Sequence, residues 1–258
     1  MNKSVKANTR HERLLDYLGQ HGEGGVQRLA EHLHVSAMTV RRDLVLLEAQ
    51  GRLSRTHGGA MLTKPSVVEF ALAERSERHA AEKAAIARQV AAMIKPGSSV
   101  ALDTGTTTLE VAKAIATHPN LTVLTSSLAV ASVLYTHDGI ELVLLGGTAR
   151  RGSPDISGWL TEQNLRQFHV DYAIVGADGV TRDGVFTTSV EYTRICQGLL
   201  AVGDCCMLLV DHSKIGKPSF SRVAALKSFD YIITDTGVPR TARKWLNTAA
   251  KNVLYARV

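Results

Sequence analysis

Six short apolar runs in the later part of the chain constrain its fold more than any other feature: "SVALD", "LTVLTS", "ELVLLGG", "DYAIVGAD", "CMLLVDHS" and "DYIITD". Runs of this length read as strands buried on both faces. Between most of them lie helical stretches, over 109–116, 128–135, 160–167, 190–202 and 239–249. Strand and helix in alternation imply a mostly parallel sheet with helices on both faces, an α/β fold. In such a sheet ligands bind beyond the carboxyl ends of the strands.

Bulk properties limit the rest. The 258 residues suffice for one large or two ordinary domains, and 45% hydrophobic with 21% charged content is that of a soluble globular protein. The net charge is +6 and the sequence pI about 9.3. Residues 1–60 carry 9 Lys/Arg against 6 Asp/Glu, a net +3, so half of the excess charge sits in less than a quarter of the chain. Cys196, Cys205 and Cys206 form neither a CxxC pair nor a metal-ligand spacing, which points to reduced thiols. The start, "MNKSVKANTR", is polar, and no apolar run approaches the roughly 18 residues of a membrane helix. A soluble, cytoplasmic protein with no membrane partner is expected.

The first 60 residues contain three helical patterns. "TRHERLLDYLGQHG" places Leu14, Leu15 and Leu18 on one side and stops at Gly22, a C-terminal cap. "VQRLAEHLHV" repeats the pattern with Val26, Leu29, Ala30 and Leu33 before a break at His34-Val35. Ser36 then stands where an N-cap belongs, and Gly51 closes the third helix. At about 100° per residue, Val40, Leu44 and Leu47 share a narrow inward arc. Met38 and Arg42 point nearly opposite, with Thr39 and Arg41 on the shoulders. Val45 and Leu46 spoil the stripe and are expected against the next element. Two short helices joined by a tight turn, the second exposing arginines at its start, make a helix-turn-helix whose first turns meet base edges or phosphates in the major groove. "RLSRTHGGAML" adds a strand–turn–strand wing. The candidate DNA-contacting residues are Ser36, Met38, Thr39, Arg41, Arg42, Arg55 and His57.

Pro65 in "TKPSVVEF" marks a boundary, and the charged, alanine-rich 69–94 reads as a solvated connecting helix with ion pairs, ending at Lys95-Pro96-Gly97. The division is therefore 1–62, a linker and connecting helix over 63–97, and a second domain over 98–258. Its most telling polar segment is "LDTGTTTLEVA", which runs from a strand into a helix. Gly105 permits a tight turn, and the hydroxyls of Thr104, Thr106, Thr107 and Thr108 with the free helix amides offer donors to an anion such as phosphate. Other strand ends bring Ser126, Gly146, Gly147, Arg150, Asp178 and Lys214. Asp211, His212 and Ser213 are consecutive and cannot fold back into a nucleophilic triad, and no GxSxG, Walker or GxGxxG pattern is present. The ten histidines are scattered along the sequence, so neither a metal nor a cofactor is expected.

The blocks "VSAMTVRRDLVLLEAQGRLSRTHGGA", "LDTGTTT", "TSSLAVA", "LLGGTARRG" and "LVDHSKIGK", in this order, resemble the DeoR-type family of bacterial transcriptional regulators. The resemblance spans almost the whole chain. It implies a winged helix-turn-helix followed by a sensor domain similar to ribose-5-phosphate isomerase and CoA-transferase folds. It also implies a repressor of a sugar-catabolic operon, relieved by a phosphorylated sugar or related metabolite and acting as a homo-oligomer, dimer or tetramer, on double-stranded operator DNA. By matching position, Asp103, Gly105, Thr106, Thr107 and Thr108 look like the phosphate loop, and Ser126, Gly147, Arg150, Asp178 and Lys214 like the rest of the effector pocket. One departure stands out. After "GVFTT" the family often places a glutamate and, four residues on, a lysine, whereas "SVEYTRICQG" puts Glu191 and Arg194 out of that spacing. The alternative function is a sugar-phosphate isomerase with a basic appendage, using Asp178 or Glu191 as base and Lys214 to stabilise an enediolate.

Overall fold

The computed structural model describes residues 3–49, 52–56, 58–62, 67–150 and 153–258. They form two compact units that divide between Ser66 and Val67. The sequence markers Gly51, His57 and Pro65 fall outside the described residues.

The first unit contains α1 (Lys3–His21), β1 (Glu23–Gly25), α2 (Val26–Leu33), α3 (Ala37–Ala49), β2 (Leu53–Thr56) and β3 (Gly59–Leu62). Leu14, Leu18, Leu29, Leu33, Val40, Leu44 and Leu47 are buried together as one core. Gly22 takes φ +78° and its amide bonds the Leu18 carbonyl at 2.8 Å, ending α1 as a glycine cap should. His34 ends α2 in the left-handed region, at φ 53°. The wing is a three-stranded antiparallel sheet in the order β1-β3-β2. Its first strand, over the glycine pair 24–25, carries no side-chain period and was not legible in the sequence. Gly59 is required there, because a Cβ would stand 2.1 Å from the Gly24 carbonyl oxygen. Val45 and Leu46 depart from expectation. They are about half exposed, since α3 turns only its Val40–Leu44–Leu47 arc inward.

The second unit begins with α4 (Val67–Glu77) and α5 (Ala80–Ala91), separated at Arg78-His79, where His79 adopts φ 56°. A single solvated connecting helix is thus replaced by two helices, and α5 belongs to the core: Ala85, Ile86, Ala87 and Val90 are buried against the sheet. The chain continues through β4 (Ser99–Leu102), α6 (Thr106–Ile115), β5 (Leu121–Thr125), α7 (Leu128–Leu134), β6 (Ile140–Leu144), β7 (Thr148–Ala149) and β8 (Ile156–Ser157). Then come α8 (Trp159–Leu165), β9 (Val170–Gly176), β10 (Gly179–Thr181), β11 (Gly184–Thr187), α9 (Val190–Val202), β12 (Gly203–Leu209), β13 (Ser221–Ala224), β14 (Tyr231–Asp235), α10 (Arg240–Ala249) and β15 (Val253–Ala256).

Seven strands form one parallel sheet in the order β15-β14-β12-β9-β4-β5-β6. Six are the apolar runs of the sequence; the seventh, β15, is an edge strand whose Tyr255 and Leu254 are only partly buried. Helices α5, α6 and α7 bury Ile86, Val111, Ile115 and Val130 on one face, and α9 and α10 bury Ile195, Leu199 and Leu246 on the other. A small antiparallel sheet, β10-β11-β13, also goes unannounced in the sequence. From β4 the chain runs outward through β5 and β6, then returns to β9 on the other side of β4. The strand order therefore reverses between β4 and β9, where a crevice opens at the carboxyl edge. Among the described residues no helix is long and apolar enough to cross a membrane.

Candidate functional site

In the first unit, Ser36 caps α3: the Thr39 amide donates to its Oγ at 3.2 Å, and the two hydroxyls lie 2.9 Å apart. That fixes the first turn. Val40, Leu44 and Leu47 then face inward, leaving Met38, Arg41 and Arg42 exposed and Thr39 half-buried. Arg55 on β2 is also exposed, but its Nε donates to Glu48 Oε2 at 2.8 Å and its amide to Oε1 at 3.1 Å. Glu48 thus stands as a carboxylate on a face otherwise suited to phosphate. Behind α3, buried Asp43 receives Arg10 Nε at 2.6 Å, Arg10 Nη2 at 2.9 Å and His11 Nε2 at 3.0 Å. This pairing orients the helix from its covered side, and sequence spacing does not reveal it.

In the second unit the crevice between β4 and β9 is a cleft of about 390 Å³. Its floor is the β4–α6 loop. Gly105 takes φ 137° and precedes α6 as N-cap, its carbonyl accepting from the Leu109 amide at 3.0 Å and the Thr108 hydroxyl at 3.0 Å. Thr104, Gly105, Thr106, Thr107 and Thr108 line the cleft together with Asp178 and Lys214. A narrower pocket of about 50 Å³ shares Thr104, Gly105 and Asp178 with it and adds Arg150 and Ser127.

Other expected residues lie outside the main cleft. Asp103 is fully buried behind the loop and lines neither pocket. Ser126 is buried and uses its carbonyl to accept the Ile156 amide; its neighbour Ser127 reaches the pocket and caps α7 through the Val130 amide at 3.2 Å. Gly147 lines neither pocket; a Cβ there would stand 2.0 Å from Thr161 Oγ1, so its role is close packing against α8. Arg150 is committed to buried Asp155, at 3.2 Å, and donates to Ser189 Oγ at 3.3 Å. Glu191 and Arg194 are exposed and line neither pocket.

Arg75, Lys83 and Tyr192 are among the lining residues that the sequence reading missed. Lys83 is 4% exposed and donates through Nζ to the carbonyls of Arg75 and Arg78, holding the end of α4. Burial lowers its pKa, and Lys214 and Arg75 push the same way against Asp211. Lys83 precedes Ile86, Ala87 and Val90 at helical spacing, so a cation on an apolar stripe was the available signal. Tyr192, next to Glu191 in α9, is partly buried and lines both pockets. Its hydroxyl lies 2.5 Å from Asp103 Oδ2 and 2.7 Å from the Thr104 carbonyl oxygen. The Gly176 amide, at the end of β9, donates to the same carboxylate at 3.0 Å. Burial raises the Asp103 carboxyl to about 6, against the donors that would lower it. Burial likewise raises the Tyr192 and Cys196 pKa values, reinforced by the Asp103 charge. The cleft's cations, Arg75, Arg78, Lys83, Lys214 and Lys217, outnumber its carboxylates, Asp178 and Asp211. Combined with the amides at the start of α6, this makes a site for an anion.

Comparison with known proteins agrees with both halves. Residues 10–66 match the family model for the DeoR-like helix-turn-helix domain, and residues 78–236 that for the DeoR C-terminal sensor domain. The chain is 32% identical to the putative aga operon transcriptional repressor of Escherichia coli O157:H7, over 95% of this chain and 92% of that protein. It is 34% identical to the glycerol-3-phosphate regulon repressor of Escherichia coli K12, over 91% and 93%. Among solved structures it is similar to ribose 5-phosphate isomerase A from Methanocaldococcus jannaschii, with a TM-score of 0.40 and 19% identity over 53% of this chain and 55% of that one. With a helix-turn-helix at one end and the matching sensor domain at the other, the chain belongs to the DeoR family of transcriptional regulators.

Proposed function

We propose that this chain represses a sugar-catabolic operon by laying α3 in the major groove of its operator, and that a phosphorylated metabolite bound in the β4–β9 cleft relieves repression. The observation that carries this reading is the cleft's cationic, amide-lined floor at the point of strand reversal. The relatives named for the aga operon and the glycerol-3-phosphate regulon support the sugar-linked operon. On this reading Met38, Thr39, Arg41 and Arg42 meet base edges and phosphates, and Thr106 and Thr107 with Lys214 hold the phosphoryl group. A homo-oligomer presents two α3 helices to the halves of a palindromic operator. The effector acts by binding the DNA-incompetent state more tightly than the DNA-competent one.

Thermal shift against a panel of sugar phosphates tests the sensor assignment. A phosphorylated ligand at about 100 times its Kd adds roughly 3 kcal/mol, which raises Tm by several degrees, while the unphosphorylated sugars leave it unchanged. Thr106→Ala with Thr107→Ala abolishes the shift and retains operator binding. Equal shifts with and without the phosphoryl group, or a full shift in the double variant, contradict the assignment.

A further inference from the structure

We infer that a second site, beside the cleft, binds one transition-metal dication of the zinc type through His79, Glu82 and His212. These residues are distant in sequence, yet one ligand atom from each lies within 4.8 Å of the other two. His79 immediately precedes α5 and Glu82 lies in its first turn, with Nδ1 of His79 3.5 Å from Glu82 Oε1. His212 follows β12, and its ring meets that of His79 edge to face with centroids 4.9 Å apart.

Two further observations distinguish this cluster from a chance meeting of polar side chains. The first lies behind His212. Asp235, 1% exposed at the end of β14, accepts the His212 amide at 2.7 Å and the Gly237 amide at 2.7 Å, and lies 2.9 Å from His212 Nδ1. A carboxylate can only accept, so Nδ1 carries the proton and Nε2 keeps its lone pair for a ligand. A carboxylate behind a histidine in this way fixes the tautomer and orients the ring, as in metal centres. The second concerns His79. It holds the left-handed conformation at φ 56°, although its side chain caps nothing in α5. Histidine is one of the few non-glycine residues that adopt this conformation readily, and here it carries the ring to the N-terminal edge of α5 beside Glu82.

Two imidazoles and one carboxylate suit zinc, cobalt or nickel better than calcium or magnesium, which prefer all-oxygen shells. Three protein ligands leave a fourth tetrahedral position open to water or an anion. His79 itself lines the cleft, and Ser213 and Lys214, which follow His212, do so too. Metal bound here ties the start of α5 to the carboxyl ends of β12 and β14 and stiffens one wall of the cleft.

The test is zinc binding by the purified full chain, read in competition with a chromogenic chelator and by the d–d absorption of bound cobalt. Wild-type protein takes up one equivalent and shows tetrahedral cobalt bands. His79→Asn keeps a residue that tolerates the left-handed backbone, and Glu82→Gln keeps the side-chain shape; each weakens binding by at least about tenfold and removes or shifts the bands. His169→Asn, an exposed histidine paired with Asp204, changes neither. Circular dichroism verifies that the variants are folded. No uptake, uptake unchanged in both ligand variants, or an equal loss in His169→Asn overturns the inference. Sugar-phosphate binding with no zinc site, or the reverse, separates this outcome from that of the effector assignment.

Discussion

Asp43 and Asp103 are both buried carboxylates, and their surroundings drive them in opposite directions. Burial raises Asp43, but the Arg10 guanidinium and His11 outweigh it and hold the carboxyl below its ordinary value. Asp103 has a tyrosine, a thiol and amides but no cation, and its Oδ1 finds no partner among the described residues. Burial wins there, and the carboxyl rises from 3.8 to about 6. The stabilising contribution of Asp103 is therefore complete below its unfolded value and is lost as pH rises through about 6. Two pKa units correspond to about 3 kcal/mol. Urea midpoints of Asp103→Asn, measured from pH 4 to 7, should lack the fall that wild type shows across that interval; parallel curves would refute the assignment. At the other site, Glu48→Gln releases Arg55 from its ion pair. Duplex binding should tighten, and the salt dependence should steepen by about one counterion in its log–log slope; an unchanged slope means Arg55 does not reach phosphate.

At the scale of elements, α3 and the β4–α6 loop could be read from the sequence because each is a local device. A cap, a 3.6-residue stripe and a glycine turn are all set by neighbours within a few positions. Helix α5 could not. The charged run that leads into it, "ERSERHAAEK", argues for solvent, yet Ile86 is fully buried against the sheet and Lys83 is buried at the end of α4. What decides is a contact with strands far along the chain, which composition does not encode. Ile86→Ala therefore measures the difference. A buried isoleucine loses roughly 2–5 kcal/mol on truncation, whereas a solvated helix position shifts by less than about 0.5 kcal/mol. Denaturant unfolding of the second unit should show the larger value. The β1 strand, the β10-β11-β13 sheet and β15 were missed for a related reason: short or edge strands bury too little to impose a period.

For the whole molecule, alternation of apolar runs and helices was enough to establish the parallel sheet, and the sheet's order establishes the crevice. Residues carried to that crevice by their own strand, such as Thr106 and Lys214, were identifiable in advance. Those brought by another element were not: Tyr192 from α9, Arg75 from α4 and the His79–His212 pair need the tertiary fold to meet. Ser126 and Gly147 line neither pocket, and polar or glycine character at a strand end can also serve packing, as Gly147 does against α8. The most direct test is the affinity of the full chain for a duplex selected from a random pool, measured by fluorescence anisotropy at several salt concentrations. Arg41→Ala with Arg42→Ala should lower affinity by on the order of 100-fold and flatten the salt slope, with both units still folded. Equal affinity and slope in wild type and double variant would contradict the account.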